Sequence, residues 1–273
     1  MDKPFYRVDR LDTISTTIAE IRSLRKGVIT NFYLDPAKHT LWINKGDCFA
    51  ERINDTVFII KQSSLFWNVF YCSTTLGQLI GDLRCFLINH ENQVMMFDIV
   101  GQKDQCQPIV TAFQNCNCSV VSSLVRMKRL MNPVSPEVND NTIFYADENN
   151  IPAISHALHT YFNERIEQLP YMEELRDFTQ NRQILVCEED GVLAGFLIFE
   201  HTLSTLILRY WFTYPDFRER KIGSRLLRSF FDEGSGTRRQ LLWVVQSNDN
   251  AIKRYKHYGF TEENMFDYVL QFN

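Results

Sequence analysis

The chain has 273 residues, of which 45% are hydrophobic and 23% charged, a globular mixture long enough for two domains. Its formal net charge of −4 excludes the strongly basic balance of a nucleic-acid-binding protein. No apolar run approaches the roughly 18 residues that span a bilayer, and the polar start MDKPFYRVDRLDT lacks the apolar core of a signal peptide. We therefore expect a cytoplasmic protein with no nucleic-acid or membrane partner.

The cysteines show no pattern of metal or disulfide chemistry. Six of the seven lie within the first 118 residues, and none has paired CxxC spacing. Cys116 and Cys118 form a CxC with no second pair or nearby histidine to complete a zinc site. We interpret the cysteines as buried thiols in a reducing compartment and predict no metal site.

The first half of the chain predicts an α+β domain over residues 1–130. Apolar periodicity indicates a helix from about Thr13 to Arg25 and later helices near 76–87 and 109–115. Four apolar runs around these helices indicate strands: TVFII, LFWNVFYC, QVMMFDIV and SVVSSLVRM. From residue 56 onward, this order parallels the second half at an offset of about 140 residues. The first half is therefore either a degenerate duplicate of the second or an unrelated α+β module.

The segment RLMNPVSPEVNDN, residues 129–141, predicts a linker. It holds two prolines and three asparagines and shows no apolar periodicity. It divides the chain into two parts of nearly equal size, so we expect the second domain to span residues 142–273.

The second half alternates strands with helices, which is typical of a sheet covered on both faces. A strand over Ile143–Tyr145 precedes a helix with Asp147 as its cap and Pro152 in its first turn. A second helix is predicted over 172–179, and two apolar runs around Asp190-Gly191 indicate a hairpin. The remaining predictions are the strands LSTLILRYWFT, LLWVV and FDYVLQF and the helices 223–231 and 248–258. The fold class is α+β, with a mixed central sheet flanked by helices.

The stretch RERKIGSRLL, residues 218–227, places one glycine and four cations where a strand is about to become a helix. The first backbone N–H groups of a helix lack intrahelical partners, and together with the helix dipole they favour an anion. Gly223 would let the backbone approach a phosphate with no Cβ in the way. An ordinary helix start on a solvated face explains the same residues, so the stretch alone leaves both interpretations open.

Two motifs at matching spacing resemble those of the GNAT superfamily of acetyl-CoA-dependent N-acyltransferases. The family's pyrophosphate loop reads (Arg/Gln)-x-x-Gly-x-(Gly/Ala), and Arg218–Gly223 occupies it here. The family's Asn-x-x-Ala-hydrophobic-x-x-Tyr-x-x-x-Gly-Phe is matched from Asn248 to Phe260. The resemblance covers about residues 142–273. It departs at one loop position, because Lys221 stands where the family has its first glycine.

The resemblance implies an acetyl-CoA site between the strand that ends near Thr213 and the strand LLWVV. Backbone groups of Trp211, Phe212 and Thr213 would pair with the pantetheine arm and the acetyl carbonyl, and the Asn248 side chain would face that arm. Tyr255 would be the general acid beside the leaving thiolate, since a phenol with a pKa of about 10 stays protonated at neutral pH. The pyrophosphate would be held by the backbone amides of seven loop residues: Arg218, Glu219, Arg220, Lys221, Ile222, Gly223 and Ser224.

The general base is not evident from the motifs. Deprotonating an alkylammonium with a pKa of about 10.4 costs about 4–5 kcal/mol at neutral pH, so a base or a water relay is expected. The strand LILRYWFT lacks the carboxylate that many relatives carry there, and Glu200 and His201 on the preceding strand are the nearest candidates. Both also fit a solvated strand end. The acidic segment NERIEQLPYMEELRDF, where this family builds its acceptor site, suits either a cationic amine or a solvated face.

We therefore predict an acetyl-CoA-dependent N-acyltransferase that moves an acetyl group to a primary amine of a small molecule or peptide, by direct attack in a ternary complex. The alternative is a non-catalytic protein that binds CoA or a partner. Two features favour this alternative: the strand lacks a carboxylate, and Lys221 replaces the first glycine of the loop. The first half has no comparable loop, because its strand passes through Ser73-Thr74-Thr75 straight into a helix. We predict that it has no cofactor site of its own.

Overall fold

The computed structural model describes residues 3–25, 27–130 and 141–273, which form thirteen strands and eight α-helices. These elements fall into two compact units: unit 1 comprises residues 1–124 and 264–273, and unit 2 comprises residues 125–263. Residues 264–273 thus go with the first half, and the domain boundaries of 1–130 and 142–273 stay a prediction. Most of the predicted linker, residues 131–140, lies outside the described residues.

Unit 1 combines four helices with a mostly antiparallel sheet. Its helices are α1 (Leu11–Leu24), α2 (Pro36–Lys45), α3 (Leu76–Asn89) and α4 (Lys103–Gln114). Its strands are β1 (Lys3–Arg7), β2 (Ile29–Thr30), β3 (Cys48–Ile53), β4 (Thr56–Gln62), β5 (Trp67–Ser73) and β6 (Met95–Gly101), with the first part of β7 (Ser119–Leu130) and the last part of β13 (Thr261–Phe272). The helices and strands predicted for this half are all present.

The sequence analysis did not predict four elements of unit 1, namely β1, β2, α2 and β3. The cap residues of α2 are readable in the sequence, because the Asp35 side chain caps its first turn and Gly46, with φ 82°, follows its last residue. α4 begins at Lys103 rather than near Ile109, since the helix accommodates Pro108 in its second turn.

The sheet of unit 1 runs in the order β1-β3-β4-β5-β6-β13. Neighbouring strands are antiparallel except β5 and β6, which are parallel. Phe58, Phe86, Phe97 and Phe113, from two strands and two helices, are fully buried in one core. Leu270 of β13 belongs to the same core, so the last residues of the chain complete this unit.

The parallel strands β5 and β6 separate early. They pair only at their first two residues within the described part of the chain. β4 occupies the other edge of β5 along its whole length. The short strand β2 pairs with the end of β5 and therefore lies on the edge that faces β6.

Asn31, directly after β2, joins the two separated strands. Its Nδ2 donates to the Asp98 carbonyl of β6 at 2.9 Å, and its Oδ1 accepts from the Tyr71 N–H of β5 at 2.7 Å. The Thr30 hydroxyl donates to the Tyr71 carbonyl at 2.6 Å. Residues 29–32 of the chain therefore fill the gap between β5 and β6.

We expect Asn31→Ala to lower the free energy of unfolding by about 1–3 kcal/mol, because the Tyr71 N–H and the Asp98 carbonyl lose their shared partner. Chemical denaturation measures this change. Asn92→Ala, in an exposed turn of the same unit, is the control and should stay within about 0.5 kcal/mol of wild type. Equal stability of the two variants would contradict the bridging role of Asn31.

Unit 2 combines four helices with a second mixed sheet. Its helices are α5 (Ile151–Tyr161), α6 (Met172–Gln180), α7 (Ile222–Glu233) and α8 (Asp249–His257). Its strands are β8 (Ile143–Tyr145), β9 (Ile184–Glu189), β10 (Val192–Thr202), β11 (Thr205–Thr213) and β12 (Arg239–Val245), with the end of β7 and the start of β13. The element order predicted for this half is confirmed.

Local chemistry explains two turns of unit 2. Asp190 and Gly191 have φ 55° and 75°, the left-handed pair of a tight hairpin turn, so the predicted hairpin of β9 and β10 is confirmed. The predicted cap Asp147 is wrong, because Asn150 is the residue at the cap position of α5. The Asp147 carboxylate instead accepts from the Asn149 N–H at 2.8 Å within the preceding turn.

The sheet of unit 2 runs in the order β7-β12-β11-β10-β9-β8. β8 to β11 are antiparallel, whereas β11 and β12 are parallel. Leu158 of α5, Leu175 of α6 and Phe196 of β10 are fully buried in one core. The predicted α+β class, with mixed sheet flanked by helices, is confirmed.

The remaining structural features concern cysteines, metals and membranes. Of the seven cysteines only Cys85 is exposed, and no disulfide forms among the described residues. Those residues hold no cluster of three metal-ligating side chains. No helix among them is long and apolar enough to cross a membrane.

Candidate active site

The parallel strands of unit 2 also separate early, and here the gap stays open. β11 and β12 pair from Thr205 with Arg239 to Leu208 with Leu242, and both strands continue further. The next residue, Arg209, has no opposite residue in β10, so it forms a bulge. A bulge bends its strand and increases the local twist. Within the described chain no strand covers this edge of β11 after the bulge, so its backbone is available to a ligand.

The predicted cofactor residues of β11 lie along this open edge. Their side chains alternate between the two faces of the sheet. Phe212 is buried in the core with α5 and α6, whereas the half-buried Trp211 lies on the other face against α7 and α8. Thr213 ends the strand beside Gly223. The backbone of this segment, rather than its side chains, therefore faces the gap.

The predicted pyrophosphate loop leads directly into α7. Pro215–Arg220 form a 3-10 helix, and Lys221 follows with φ 59° in the left-handed region. The Lys221 side chain makes no capping hydrogen bond. Among the hydrogen bonds of the described residues, none uses the N–H groups of Ile222, Gly223 or Ser224. These three amides form an uncapped helix start that can bind an anion.

Only some of the four cations of residues 218–227 are left for an anion, whereas the sequence interpretation considered all four. Arg220 and Arg225 form ion pairs with Glu189, at 3.7 and 3.0 Å. They brace the loop against the β9–β10 hairpin. Arg218 and Lys221 are exposed and take part in none of the ion pairs of the described residues, so these two cations remain for a bound anion. Glu219 is exposed and the Ile222 side chain is fully buried, and the binding role of their backbone stays a prediction.

Gly223 is needed for a reason that the sequence does not show. A Cβ at this position would lie 3.1 Å from the Trp211 ring and 3.2 Å from the Thr213 hydroxyl. The Trp211 Nε1–H donates to the Gly223 carbonyl at 3.1 Å. The missing side chain therefore makes room for the indole, and the expectation that it also leaves room for a phosphate stays a prediction.

Asn248 caps α8 instead of presenting its whole side chain to a ligand. Its Oδ1 accepts from the Ala251 N–H at 3.1 Å, which satisfies one amide of the first helical turn. The residue is exposed. The predicted contact with a pantetheine arm therefore depends on its Nδ2 and stays a prediction.

Tyr255 of α8 is buried beside the open edge of β11. Its ring packs against Trp211 and Phe260, with centroids 5.5 and 5.8 Å away. Burial, followed by the negative charge of Glu167, raises the pKa of the Tyr255 phenol above its ordinary value. The hydroxyl therefore stays protonated over the whole physiological range and can act as a proton donor.

Glu200, the predicted base, lies in a polar part of the β10–β11 hairpin. Its carboxylate is 3.6 Å from the Arg209 guanidinium, and both side chains are about one-third exposed. Its neighbour His201 is exposed. The charges that act on Tyr255 are Glu167 and Arg254, and Glu200 is not one of them. The role of Glu200 as the base stays a prediction.

Glu167 is the carboxylate that the sequence analysis did not single out as a base. It lies between α5 and α6, is half-buried, and acts electrostatically on both Tyr210 and Tyr255. Burial raises the pKa of its carboxyl group to about 7. Nothing in the acidic run NERIEQLPYMEELRDF distinguishes this residue, because its burial depends on tertiary packing.

Residues 151–260 match the family model of the Acetyltransferase (GNAT) family. The second half carries a GNAT acetyltransferase domain. No curated protein matches the sequence of the chain. The match contains the open edge of β11, the uncapped start of α7 and the buried tyrosine of α8, so the resemblance on which the sequence analysis relied is confirmed.

Solved GNAT structures resemble the whole chain in fold. A tandem GNAT protein from the clavulanic acid biosynthesis pathway has a TM-score of 0.63 at 11% identity, covering 99% of this chain and 98% of its own. A GCN5-related N-acetyltransferase from Sphaerobacter thermophilus has a TM-score of 0.60 at 14% identity, and the match covers 98% of this chain and 95% of that one. An acetyltransferase of the GNAT family from Colwellia psychrerythraea has a TM-score of 0.56 at 13% identity, and the match covers 99% of each chain. Unit 1 is therefore GNAT-like in fold, as the internal parallel suggests.

Unit 1 and the GNAT domain differ at corresponding positions. The gap between β5 and β6 is filled by residues 29–32, whereas the gap between β11 and β12 is open. The first turn of α3 is capped by Thr75, whose hydroxyl accepts from the Gln78 N–H at 3.1 Å. The first turn of α7 has no such cap. In the part of unit 1 that the structure describes, the corresponding strand gap is thus filled and the corresponding helix start is capped.

Lys221 has a left-handed backbone, which costs a side-chain-bearing residue about 1–2 kcal/mol and glycine very little. We expect Lys221→Gly to raise the free energy of unfolding by about 1 kcal/mol, after the greater freedom of glycine in the unfolded chain is included. Lys253→Gly, on the exposed face of α8, is the control and should lower it by about 1 kcal/mol. Thermal denaturation distinguishes the two signs, and destabilisation by Lys221→Gly would contradict the left-handed conformation.

Proposed function

We propose that the chain transfers an acetyl group from acetyl-CoA to a primary amine in a ternary complex. One observation carries the proposal: an open strand edge ends beside an uncapped helix start, within a GNAT domain. The acceptor is a small molecule or peptide with a primary amine, and its identity is a matter for a substrate screen.

The residues of the gap suit an acyl-coenzyme. A pantetheine arm contains amide groups, which need backbone partners such as those of residues 209–213 on the open edge of β11. A pyrophosphate needs N–H donors and positive charge, which Ile222, Gly223 and Ser224 offer through their amides and Arg218 and Lys221 through their side chains. These are the binding roles that we assign to the loop.

Tyr255 supplies the proton for the leaving group in this proposal. Its phenol is protonated and lies against Trp211, whose backbone belongs to the open edge of β11. As the bond between the acetyl carbon and sulfur breaks, the Tyr255 hydroxyl donates its proton to sulfur. The contact between the two rings positions this hydroxyl.

A non-catalytic CoA-binding protein is the second candidate. The absence of a carboxylate from β11 and the presence of Lys221 in the loop favour it. Release of CoA thiol from acetyl-CoA, measured over a panel of primary amines, separates the two functions. An enzyme shows amine-dependent release, whereas a binding protein shows affinity for acetyl-CoA without turnover.

We expect one acetyl-CoA per chain and a loss of affinity of at least tenfold, about 1.4 kcal/mol, in Gly223→Val. The branched side chain would displace Trp211 and with it the start of α7. Titration calorimetry measures both quantities. Gly77→Val is the control, since Gly77 is also the second residue of its helix, α3, and a Cβ there meets nothing within 4 Å. A stoichiometry of two, or unchanged affinity in folded Gly223→Val, would contradict the placement.

We expect Tyr255→Phe to lower kcat by about 10²–10⁴-fold, the usual contribution of a general acid, and to leave acetyl-CoA affinity nearly unchanged. The ring packing is kept, so the variant should remain folded. Tyr258→Phe, at the end of the same helix, should keep wild-type kcat. If Tyr255→Phe retains more than about a third of wild-type kcat with acyl transfer rate-limiting, water rather than Tyr255 is the acid.

A further inference from the structure

Arg209 is the residue at which the open edge of β11 begins. The pairing of β11 with β12 runs from Thr205 to Leu208, and Arg209 is the first residue beyond it. Arg209 is also the extra residue of the bulge, because β10 has no residue opposite to it. Bulges re-aim a side chain and are over-represented next to active sites. The bulge therefore places a cationic side chain at the apex of the gap.

The Arg209 guanidinium lies on the face of the sheet that packs against α5 and α6. Its Nε is 3.6 Å from the Glu200 carboxylate. Glu200 follows Ile198 by two positions on β10, so both side chains point to one face. Ile198 is buried in the core that α5 and α6 share. The side chains of Arg209 and Glu200 are about one-third exposed, so a ligand can reach them from solvent.

The Arg209 side chain makes no hydrogen bond within the part of the chain that the structure describes. Its contact with Glu200, at 3.6 Å, is longer than a hydrogen bond. An arginine presents five N–H donors in a planar fork, and this fork matches the two oxygens of a carboxylate. The donors of Arg209 are therefore available to an anionic group of a ligand.

The other cations of the loop lie at the opposite end of the gap. Arg218 and Lys221 belong to the segment that leads into α7. Arg220 and Arg225 are held in ion pairs by the β9–β10 hairpin. A phosphate at the start of α7 therefore has its own cations and does not need Arg209.

The length of the open edge separates Arg209 from the start of α7. β11 ends at Thr213, which lies beside Gly223. The four strand residues from Arg209 to Thr213 span roughly 13 Å. A cofactor with its pyrophosphate at the start of α7 and its pantetheine arm along this edge would bring its acyl group to the bulge. An acetyl group carries no charge, so the partner of the Arg209 guanidinium belongs to the acceptor.

We propose that Arg209 binds a carboxylate of the acceptor, and that the acceptor is a free amino acid. This proposal rests on the proposed acyl transfer and names the acceptor class for it. Glu200 would repel a ligand that carries only negative charge. An amino acid holds its amine within a few bonds of its carboxylate, so it presents a positive group to Glu200 and a negative group to Arg209.

This pairing distinguishes amino acids from other primary amines. A plain alkylamine or the N-terminus of a peptide has no carboxylate beside the amine and leaves the guanidinium without a partner. A site built to hydrogen-bond a polar group discriminates against an analogue that lacks the group. Arg209 is therefore a specificity-determining residue in this proposal.

The test compares wild type, Arg209→Gln, Arg209→Lys and Arg239→Gln, with each common amino acid and its amide as acceptors. The amide keeps the amine and the side chain and lacks the negative charge. We expect wild-type kcat/KM for an amino acid to exceed that for its amide by about 10–100-fold, the usual contribution of hydrogen bonds between charged groups. Arg209→Gln should remove this preference and leave acetyl-CoA affinity unchanged.

Two variants serve as references for Arg209→Gln. Arg209→Lys should restore only part of the preference, since lysine keeps the charge and lacks the planar fork. Arg239 is exposed and lies opposite Thr205, at the closed end of the same strand pair. Arg239→Gln removes an arginine from that pair without touching the gap, so it should keep the wild-type preference.

A binding measurement needs no turnover. With CoA in place of acetyl-CoA, thermal denaturation is recorded in the presence of each amino acid and its amide. An amino acid should raise the Tm of wild type and of Arg239→Gln, because it binds only the folded protein. The same amino acid should leave the Tm of Arg209→Gln unchanged, and its amide should raise none of them.

Equal use of amino acids and their amides by wild type, or an unchanged preference in Arg209→Gln, would overturn the proposal while the acyltransferase stands. A wild type that prefers succinyl-CoA to acetyl-CoA, and loses this preference in Arg209→Gln, would assign the carboxylate to the acyl group and would also overturn it. A wild type that acetylates no amine would overturn the proposed function. The shift in Tm then decides separately whether Arg209 binds an amino acid.

Discussion

The early separation of β11 from β12 is the constraint on which the candidate site depends. Parallel strands normally satisfy each other's backbone groups along their length, and here pairing ends at Leu208 and Leu242. The bulge at Arg209 turns β11 away at that point. Backbone donors and acceptors that would be costly to bury unpaired are thereby left without a partner strand on this edge of β11. In unit 1, β5 and β6 separate in the same way, and there the Asn31 side chain bonds backbone groups of both strands.

Trp211 couples the parts of the site that lie on one face of the sheet. Its indole donates to the Gly223 carbonyl at the start of α7 and packs against Tyr255 of α8. Arg254 lies over the same ring at 5.8 Å. One side chain therefore fixes the uncapped start of α7 and the buried Tyr255 relative to the strand between them. The loop between α5 and α6 is held from the opposite face, where the Tyr210 hydroxyl donates to the Gln168 carbonyl.

The sequence predicted those features that depend on neighbouring residues, such as the Asp190-Gly191 hairpin and the helix start at the loop. It also supported the GNAT resemblance, because both motifs are short and local. The gap filled by Asn31 could not be predicted, since its partner Asp98 lies 67 residues away. The Arg209 bulge is a matter of register between strands, which hydrophobic periodicity does not encode. Glu167 stands out only through burial, which arises after distant segments have packed.

Residues 264–273 follow all of unit 2 along the chain and yet complete the sheet of unit 1, where they pair with β6 from Gly101 to Met95. A ribosome therefore makes residues 125–263 before it makes the strand that closes the first unit. At about 5–20 residues per second, this delay is on the order of ten seconds. During that time β6 presents an unpaired edge, a template for pairing with other chains. The second unit is continuous in sequence and can finish folding first, whereas the sheet of the first unit is completed only when its last strand has been made.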